Sequence, residues 1–516
     1  MKITIMDTTL RDGEQTSGVT FTATEKLNIA KLLLEELNVD RIEVASARVS
    51  EGEYQGAKMI FDWARENGHL EKVEVLGFID GDVSLKWIAD AGGKVNNLLM
   101  KGSLKHCQLQ LRKTPEEHIA DVKNVLAIAE KMGIRMNIYF EDWSNGMRNS
   151  PEYMYQVLDA LQEEKVDRFM LPDTLGILNQ QEAYDFCLDI KTRYPNLNFD
   201  FHAHNDYDLA TANTFSAIKA GITGIHTTVN GLGERAGNVP LSSVIGVVKD
   251  HFKYEMSVNE DRLYHASKLV ESFSGIRIPS NKPLIGENVF TQTSGIHADG
   301  DSKDDLYFND LLPERFGRTR TYALGKMSGK ASILKNLEEL GIELSKEEAK
   351  QVTKRVIQLG DKKEIITKED LPYIISDVLR SKRVEERIRI KNFQLSVARG
   401  LRSVATLAIE INCMLYEGTA SGDGQYDAFM KALWKIYDKL ERKHPILTDY
   451  VVTIPPGGKT DALVQCAITW NYEGNIIKTR ALDSDQTVAA IKCTTRMLNI
   501  IESYPSNNDD AAPPCD

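Results

Sequence analysis

Two histidines stand two positions apart at the end of an apolar and aromatic run, in the segment Phe199-Asp-Phe-His-Ala-His-Asn-Asp206. Residues i and i+2 of a β-strand point to the same side, so His202 and His204 direct their imidazoles to one place. Paired imidazoles at a strand end are suitable ligands for a divalent metal ion. Asp12, which follows the first apolar run of the chain, offers a carboxylate to complete the set. The sequence therefore predicts a metal site formed by these three residues.

This predicted ligand set contains oxygen and nitrogen donors and no thiolate. Such a set leaves coordination positions open and accepts Mn²⁺, Mg²⁺ or Zn²⁺, whereas a cysteine-rich set would indicate structural zinc. A metal with open positions can hold a 2-oxo acid through its carboxylate and keto oxygens and polarise the keto carbon. Arg11, next to Asp12, is a candidate for stabilising the developing alkoxide, and the alternative for it is a structural ion pair.

The composition restricts the classes of function. The chain has 516 residues, of which 42% are hydrophobic, and a net charge of −12. This length predicts two or three domains. The negative charge is spread along the chain, which disfavours nucleic acid and anionic membranes as partners. The sequence contains no apolar run near the ~20 residues of a membrane span, and its first residues lead us to expect no secretory signal. Its six cysteines form no CxxC pair, so we expect a cytoplasmic protein with reduced thiols.

Strand and helix patterns alternate through the first half of the chain. Eight strand-like runs, each followed by a helical pattern, predict a (β/α)₈ TIM barrel. A doubly wound open sheet is the alternative, but the turn after its first strand would be glycine-rich, and here it is polar and charged. Polar residues follow the carboxyl ends of the strands, where a barrel builds its active site. These residues are Asp12, Ser46, Asp80, Glu141, Asp142, Asp173, Thr174, His202, His204 and the segment 230–238.

The alternation of strand and helix ends near residue 255. We predict a catalytic barrel over residues 1–255, a helical intermediate domain over 256–385, an α+β regulatory domain over 386–505 and a disordered tail over 506–516. The third region carries Tyr-Glu-Gly twice, at 416–418 and 472–474, which predicts two copies of a strand–turn–strand–helix unit. In the first copy we expect the turn at 417–425. Such a module suits a ligand sensor or a dimer platform, and a purely structural role is the alternative.

Three motifs together resemble those of the acyl-CoA Claisen condensing family, which contains the isopropylmalate, homocitrate and citramalate synthases. They are Asp-Thr-Thr-Leu-Arg-Asp-Gly-Glu-Gln at 7–15, His-Ala-His-Asn-Asp at 202–206 and Gly-Leu-Gly-Glu-Arg-Ala-Gly-Asn at 231–238. The resemblance continues through the segments 294–300 and 455–463, so it covers nearly the whole chain. Within the family, the sequence is most similar to the (R)-citramalate synthases, notably at 139–146, 311–317 and 322–325.

The resemblance implies an acyltransferase that condenses acetyl-CoA with pyruvate to give (R)-citramalate and CoA, a step toward isoleucine. It implies a homodimer in which residues of the intermediate domain reach the barrel of the partner subunit and assist proton transfer. Where the citramalate synthases have Asn, two residues before Tyr307, this chain has Asp305. The implied metal ligands are Asp12, His202, His204 and Asn238, and the implied catalytic residues are Arg11, Glu141, His297 and Tyr307.

The resemblance also assigns the pocket for the 2-oxo acid. Thr174 and Arg11 would bind its polar end, and Leu76, Leu99 and Tyr139 match positions that crowd its side chain. Bulky apolar groups admit a methyl group and penalise an isopropyl group. The alternative for the two leucines is ordinary barrel core.

The C-terminal region resembles the allosteric domain of the family, and in a citramalate synthase the expected effector is isoleucine. The candidate effector contacts are Tyr426, Asp427, Leu447, Tyr450 and Ile454. Three rival functions stay open: a 2-isopropylmalate synthase with leucine feedback, a lyase or carboxyltransferase on the same barrel, and an inactive metal-containing amino-acid sensor. The leucines at 76 and 99 disfavour a homocitrate synthase, which would need a polar group there.

Overall fold

The structure is a computed structural model that describes residues 1–301, 303, 306–361, 366, 368–379, 387–453 and 464–503. The chain divides into two compact units, Met1–Thr291 with Phe308–Thr321, and Gln292–Tyr307 with Tyr322–Asp516. Asp305, Ile454 and the predicted tail at 506–516 lie outside the described residues.

A closed barrel of eight parallel strands forms the centre of the first unit, and it confirms the predicted fold. Strand β1 pairs in parallel with both β2 and β8, which closes the sheet. The strands are β1 Thr4–Asp7, β2 Arg41–Ser46, β3 Val73–Phe78, β4 Val95–Lys101, β5 Arg135–Glu141, β6 Arg168–Asp173, β7 Phe199–Ala203 and β8 Gly224–Thr227.

Helices surround these strands and are delimited by local capping signals. The first helix begins at a capping box in which Thr22 and Glu25 exchange hydrogen bonds. The longest helix of the unit has the same device at Thr114 and ends at Gly133, whose φ of 67° suits glycine. The helices are Ala23–Lys31, Glu51–Glu66, Val83–Ala91, Leu104–His106, Pro115–Met132, Trp143–Asn149, Pro151–Leu161, Gln180–Arg193, Ala210–Lys219, Leu241–Gly246 and Leu263–Ser274.

Several short helical turns complete the first unit. Turns of π-helix span Leu32–Glu36, Cys107–Leu111 and Val247–Phe252, and 3₁₀ turns span Gly13–Gln15, Leu70–Lys72, Val229–Gly231, Glu260–Arg262 and Pro313–Phe316. The short strands β9 (Thr291–Gln292) and β10 (Thr321–Tyr322) pair with each other. Among the helices of the described residues, none has the length and apolarity that crossing a membrane requires.

The second unit contains two hydrophobic clusters. One packs around Ile333, Val352 and Leu371 on a group of helices. Of these, Lys346–Asp361 begins with a capping box between Ser345 and Glu348. The helices that precede residue 387 are Gly295–Asp301, Lys330–Glu339, Lys346–Asp361 and Leu371–Leu379, with a 3₁₀ turn at Lys368–Asp370.

The other cluster joins two similar α+β modules. Each module is a three-stranded antiparallel sheet followed by a helix. The first comprises β11 Ile388–Ser396, β12 Ser403–Ile411, β13 Met414–Gly422 and the helix Gln425–Lys439. The second comprises β14 Ile446–Thr453, β15 Val464–Tyr472, β16 Asn475–Asp483 and the helix Gln486–Ser503. Residues of both modules share one core, so the region is α+β as predicted.

The internal repeat is present, but the predicted turn of its first copy is wrong. Residues 417–422 belong to β13, and the hairpin instead turns at Asn412 and Cys413, both at positive φ. In the second copy the turn is at Glu473 and Gly474, also at positive φ. The two Tyr-Glu-Gly segments therefore occupy different places, one inside a strand and one at a turn. The position of the turn in each copy is instead set by hairpin geometry, which needs residues in the left-handed backbone conformation at the tip.

The cysteines only partly follow the expectation of reduced thiols. Among the described residues, Cys107, Cys187, Cys466 and Cys493 are free and buried. Cys413 is disulfide-bonded, which contradicts the expectation for that residue.

Candidate active site

The three predicted metal ligands meet at the carboxyl end of the barrel. His202 lies in β7, and Asp12 lies in the loop after β1. The Nε2 atoms of His202 and His204 are 3.4 Å apart, and Asp12 Oδ2 lies 3.2 Å from the first and 3.9 Å from the second. All three side chains are buried, and their donor atoms lie within 4.8 Å of one another. Far-separated segments of the chain thus place one carboxylate and two imidazoles around one point.

Two unused oxygen atoms show that this cluster fits a metal ion. Asp12 Oδ1 and Asn238 Oδ1 are buried and have no hydrogen-bond partner among the described residues. A buried polar atom without a partner is costly, and a cation bound by the Asp12, His202 and His204 group would satisfy the carboxylate oxygen. Asn238 pairs with His204 through an isolated backbone bridge. Gly233 lies beside Asn238, and this position requires glycine. A Cβ added to Gly233 would lie 2.3 Å from Asn238 Nδ2, and the φ of Gly233 is +153°.

Charges at this cluster favour ionised Asp12 and neutral His204. Burial alone would raise the pKa of Asp12, but Arg11 and the hydrogen bond from His202 hold it well below its usual range. Burial lowers the pKa of His204 to about 4, against the opposing effect of Asp12. A carboxylate and a neutral imidazole are the forms that bind a metal ion.

Arg11 points into the same region and is held by several partners. Its side chain is 9% exposed, and its Nε donates to Glu43 Oε2 at 2.7 Å. Its Nη1 lies 3.2 Å from Asp12 Oδ2, and its Nη2 donates to the Tyr139 hydroxyl at 3.3 Å. Burial works against the charge, but the carboxylates of Glu43 and Asp12 outweigh it and raise the pKa of Arg11. Arg11 is therefore a fixed cation beside the metal cluster, by which we mean the side chains of Asp12, His202 and His204.

Glu43 begins a buried polar ladder across the barrel interior. It accepts hydrogen bonds from Thr8 Oγ1 at 2.8 Å and from Asn97 Nδ2 at 2.8 Å, in addition to the one from Arg11. Asn97 in turn accepts from Asn137 Nδ2 at 2.8 Å. Each member is at most 2% exposed, apart from Arg11. The ladder fixes the position of Glu43 and, through it, the direction of the guanidinium.

Tyr139 joins Arg11 to a second buried chain. Its hydroxyl lies 2.7 Å from His226 Nδ1, and His226 Nε2 lies 3.1 Å from Asp200 Oδ2. Asp200 is also bound by Arg41 and, at 2.9 Å, by Arg168. Burial lowers the pKa of His226 to about 4 although Asp200 opposes this, and burial together with Glu43 raises the pKa of Tyr139.

An apolar wall lies beside the metal cluster and contains the three predicted crowding residues. Leu76 and Tyr139 pack in one buried cluster with Met6 and Met170, and Leu99 packs against it. The Tyr139 ring meets the His202 ring edge-on at a centroid distance of 5.8 Å. The structure therefore brings the three residues together, with Tyr139 in contact with His202.

Two further predicted residues lie at the rim of the barrel. Glu141 ends β5, where it forms an ion pair with Lys101 at the end of β4. Thr174 follows β6, and its Oγ1 accepts a hydrogen bond from Asp142 N at 2.9 Å. The backbone carbonyl of Thr174 accepts from Arg235 Nη2 at 2.7 Å. Arg235 also binds both oxygens of Asp206, so one guanidinium ties together the loops after β6, β7 and β8.

A buried lysine supports the loop that carries Arg11 and Asp12. Lys26 is 1% exposed, and its Nζ donates to the carbonyl of Leu10 at 3.2 Å. It forms ion pairs with Glu14, at 2.6 Å, and with Glu53. A buried ammonium with two carboxylates resists displacement, because breaking either pair leaves an uncompensated charge. The loop after β1 is therefore held by Lys26 on its outer side and, through Arg11, by the polar ladder of Glu43 on its inner side.

His297 and Tyr307 belong to the second compact unit, where their rings are 4.3 Å apart. Tyr307 is 43% exposed, and the neighbouring Ile296 is 73% exposed. The structure brings these two predicted residues together on an accessible surface.

The predicted effector residues only partly cluster. Tyr426 and Tyr450 stack with centroids 5.5 Å apart and planes at 8°, and the Tyr426 hydroxyl lies 2.7 Å from Thr494 Oγ1. Leu447, on the same strand as Tyr450, is 40% exposed. Asp427 instead faces solvent and accepts a hydrogen bond from Lys431 at 2.7 Å. The fifth predicted residue, Ile454, lies outside the described residues.

Sequence reasoning missed Glu43, Asn97, Lys101 and His226. Each is a polar residue inside or at the end of a barrel strand, among apolar neighbours. That position is the available signal, because a polar side chain in a fully buried strand must find a partner across the barrel.

Comparisons with known proteins identify the family of the chain. Residues 2–270 match the HMGL-like family, residues 284–364 the homocitrate synthase post-HMGL domain-like family, and residues 365–502 the LeuA allosteric (dimerisation) domain. The chain therefore belongs to the HMGL-like family. Within that family, the chain belongs to the synthases that condense 2-oxo acids with acetyl-CoA. These synthases use a divalent metal ion.

Relatives of two different names match over nearly their whole length. The (R)-citramalate synthase CimA of Methanocaldococcus jannaschii is 32% identical, over 97% of this chain and 100% of its own. The 2-isopropylmalate synthase of the same organism is also 32% identical, over 97% and 95%. The 2-isopropylmalate synthase of Pyrococcus furiosus is 33% identical, over 97% and 99%. Overall identity does not separate the two activities.

Proposed function

We propose that this enzyme condenses acetyl-CoA with pyruvate and that water then hydrolyses the thioester, to give (R)-citramalate and CoA. The observation that carries the choice of pyruvate is the apolar wall of Leu76, Leu99 and Tyr139 beside the metal cluster. A 2-oxo acid oriented by the cluster would direct its side chain to this wall. A methyl group needs little room there, whereas an isopropyl group would have to displace buried side chains.

The metal would be held by Asp12, His202 and His204, with Asn238 as a further ligand. When bound, it supplies a Lewis acid that orients and polarises the keto group of the 2-oxo acid. Arg11 contributes a cation, already oriented by Glu43 and Tyr139, at the side where negative charge develops on the keto oxygen. Its fixed geometry means that little reorganisation is needed during the reaction.

The remaining rim residues would bind and orient the two substrates. Thr174 would bind the carboxylate of pyruvate. Glu141 would act near the methyl group of acetyl-CoA, from which a proton must be taken before the carbon attacks. Its ion pair with Lys101 holds its carboxylate at the end of β5. His297, which is half-buried, and Tyr307, which is exposed, would act in the barrel of the partner subunit of a homodimer.

The test is a thiol-release assay with purified enzyme across a panel of 2-oxo acids. We expect kcat/KM for pyruvate to exceed that for 2-oxoisovalerate by at least about tenfold, as one or two excluded methyl groups imply. Leu99→Ala should shift the ratio toward 2-oxoisovalerate by about tenfold or more. Leu98→Ala, at a buried position outside this wall, is the matched control and should leave the ratio unchanged. A wild-type preference for 2-oxoisovalerate would overturn the proposal.

The second candidate is a 2-isopropylmalate synthase, which would act on 2-oxoisovalerate and respond to leucine. Relatives of that name, at the same level of identity, favour keeping it as the alternative. The same assay distinguishes the two functions directly.

We further propose that isoleucine inhibits the enzyme by binding at the Tyr426 and Tyr450 pair. The match of residues 365–502 to the LeuA allosteric (dimerisation) domain supports a regulatory role and a homodimer. The stacked rings form a half-exposed apolar surface, which suits an aliphatic side chain. Isothermal titration with isoleucine and leucine would identify the effector, and binding of neither amino acid would refute this role.

A further inference from the structure

The chain of hydrogen bonds from Arg11 to Asp200 has a defined direction. A guanidinium has donors and no acceptor, so Arg11 Nη2, at 3.3 Å from the Tyr139 hydroxyl, must donate to its oxygen. The proton of that hydroxyl then has to point elsewhere. His226 Nδ1, at 2.7 Å, is the other hydrogen-bond partner of the hydroxyl among the described residues. Tyr139 therefore donates to His226, and Nδ1 carries no proton.

The second ring nitrogen of His226 contacts Asp200. With Nδ1 as acceptor, the ring proton is on Nε2, which lies 3.1 Å from Asp200 Oδ2. Asp200 is an acceptor here because Arg41 and Arg168 bind the same carboxylate. Gly224, the strand neighbour of Asp200, leaves room for this arrangement, since an added Cβ would lie 1.7 Å from Asp200 Oδ1.

Burial protects this direction from exchange with solvent. Tyr139 is 3% exposed, His226 1% and Asp200 0%, so water does not compete for these hydrogen bonds. Reversing the chain would place a hydroxyl proton against the guanidinium of Arg11 and a lone pair of Nε2 against the carboxylate of Asp200. Two repulsive contacts in a dry interior make that alternative unfavourable.

We propose that His226, whose tautomer is fixed by Asp200, is a positioning residue for the condensation and acts on Arg11 through the Tyr139 hydroxyl. This inference rests on the proposed function. Glu43 holds the guanidinium at Nε, and Tyr139 holds it at Nη2, so the two buried chains orient Arg11 from two directions. It follows that the Tyr139 hydroxyl supplies no proton to the substrate, although the Tyr139 ring is part of the apolar wall.

The test is a double-mutant cycle between His226→Leu and Tyr139→Phe. We expect His226→Leu to lower kcat/KM for pyruvate about tenfold, the typical effect of losing one buried hydrogen bond to a charged network. In the Tyr139→Phe background, the same change should lower it by less than about twofold, because the hydroxyl through which it acts is gone. A tenfold loss in both backgrounds would overturn the proposal, since it would show a role independent of Tyr139.

A conservative variant separates positioning from packing. His226→Asn places an amide oxygen near the position of Nδ1 and can still accept from Tyr139, although it is too short to reach Asp200. We expect it to recover kcat/KM to within about threefold of wild type. An Asn variant as impaired as the Leu variant would overturn the role of the hydroxyl.

A measurement without turnover keeps the inference separate from the proposed function. Nitrogen NMR of ¹⁵N-histidine-labelled wild-type enzyme, assigned with the His226→Asn variant, should show an unprotonated Nδ1 and a protonated Nε2 for His226. A protonated Nδ1 would overturn the direction of the chain. If the wild-type enzyme releases no thiol with any 2-oxo acid, the proposed function fails, whereas the NMR result still decides the direction.

Discussion

The barrel interior and the C-terminal tyrosine pair are two candidate sites of opposite construction. In the barrel, Arg11 and Asp12 are almost fully buried and bound by charged or polar partners from distant strands. In the C-terminal region, the rings of Tyr426 and Tyr450 stack, and the Tyr426 hydroxyl is hydrogen-bonded to Thr494. Tyr450 is 36% exposed, whereas the barrel ligands are at most 7% exposed.

The two constructions suit two different kinds of function. A reaction that develops charge needs dipoles and ions already oriented in a dry place, because reorganisation would raise the barrier. A site that senses a small effector needs an accessible apolar surface that can change its packing when the effector binds. Substitutions of Asp12 and Arg11 should therefore lower catalysis strongly, whereas those at the tyrosine pair should change only regulation.

Asp12→Asn should have the largest effect. The amide is a poorer metal ligand than a carboxylate, so we expect the enzyme to lose metal and kcat to fall about 10³-fold. Thiol release and the metal content of the purified protein measure the two effects. Asp167→Asn, which removes an exposed carboxylate paired with Arg135, is the control and should retain most activity. Full metal content together with full activity in Asp12→Asn would show that Asp12 is not a metal ligand that the reaction needs.

Arg11→Lys should have the next largest effect. Lysine keeps the charge, but its single ammonium cannot donate to Glu43 and Tyr139 as the planar guanidinium does. We expect kcat to fall about 10²-fold, with a smaller change in KM. Arg135→Lys, at an exposed ion pair, provides the control. A loss of less than threefold in Arg11→Lys would mean that its charge alone matters.

Tyr450→Ala should change regulation without changing catalysis. Removing the stacked ring takes away one wall of the proposed effector surface, so we expect the isoleucine concentration for half inhibition to rise at least about tenfold. Activity without isoleucine should stay within twofold of wild type. Tyr450→Phe keeps the ring and should retain inhibition to within about threefold. If Tyr450→Ala inactivates the enzyme as strongly as Asp12→Asn, the division between the two sites is wrong.

Asp7→Asn should have the smallest effect, on stability and its pH dependence. Burial raises the pKa of Asp7 from 3.8 to about 6, although hydrogen bonds from Thr9 and Thr227 oppose the shift. The folded state therefore binds this proton more tightly than the unfolded state. The wild-type protein loses the resulting stability as the pH rises through about 6, and a neutral Asn does not.

The stability gained by Asp7→Asn should accordingly be larger at pH 8 than at pH 5, by about 1–2 kcal/mol. Urea unfolding of both proteins at the two pH values measures this difference. Asp167→Asn, at an exposed position, should show no comparable trend. A gain that is larger at pH 5 would mean that Asp7 is stabilised as a carboxylate, like Asp12.

The fold and the main site follow from short-range features of the sequence. The periods of strand and helix predict the barrel, and the i, i+2 histidines predict the paired ligands, because both depend on residues close together in the chain. The position of Asp12 just after the first strand is enough to place it at the same rim, since all strands of such a barrel end there.

The tertiary structure decided which groups orient that site and where the repeat turns. His226 and Glu43 stand in different strands and have no local signature of their partners, Tyr139 and Arg11. Only closure of the barrel brings them within hydrogen-bond distance. The repeated Tyr-Glu-Gly misled for a related reason, because strand register depends on long-range pairing and on left-handed residues at the hairpin tip.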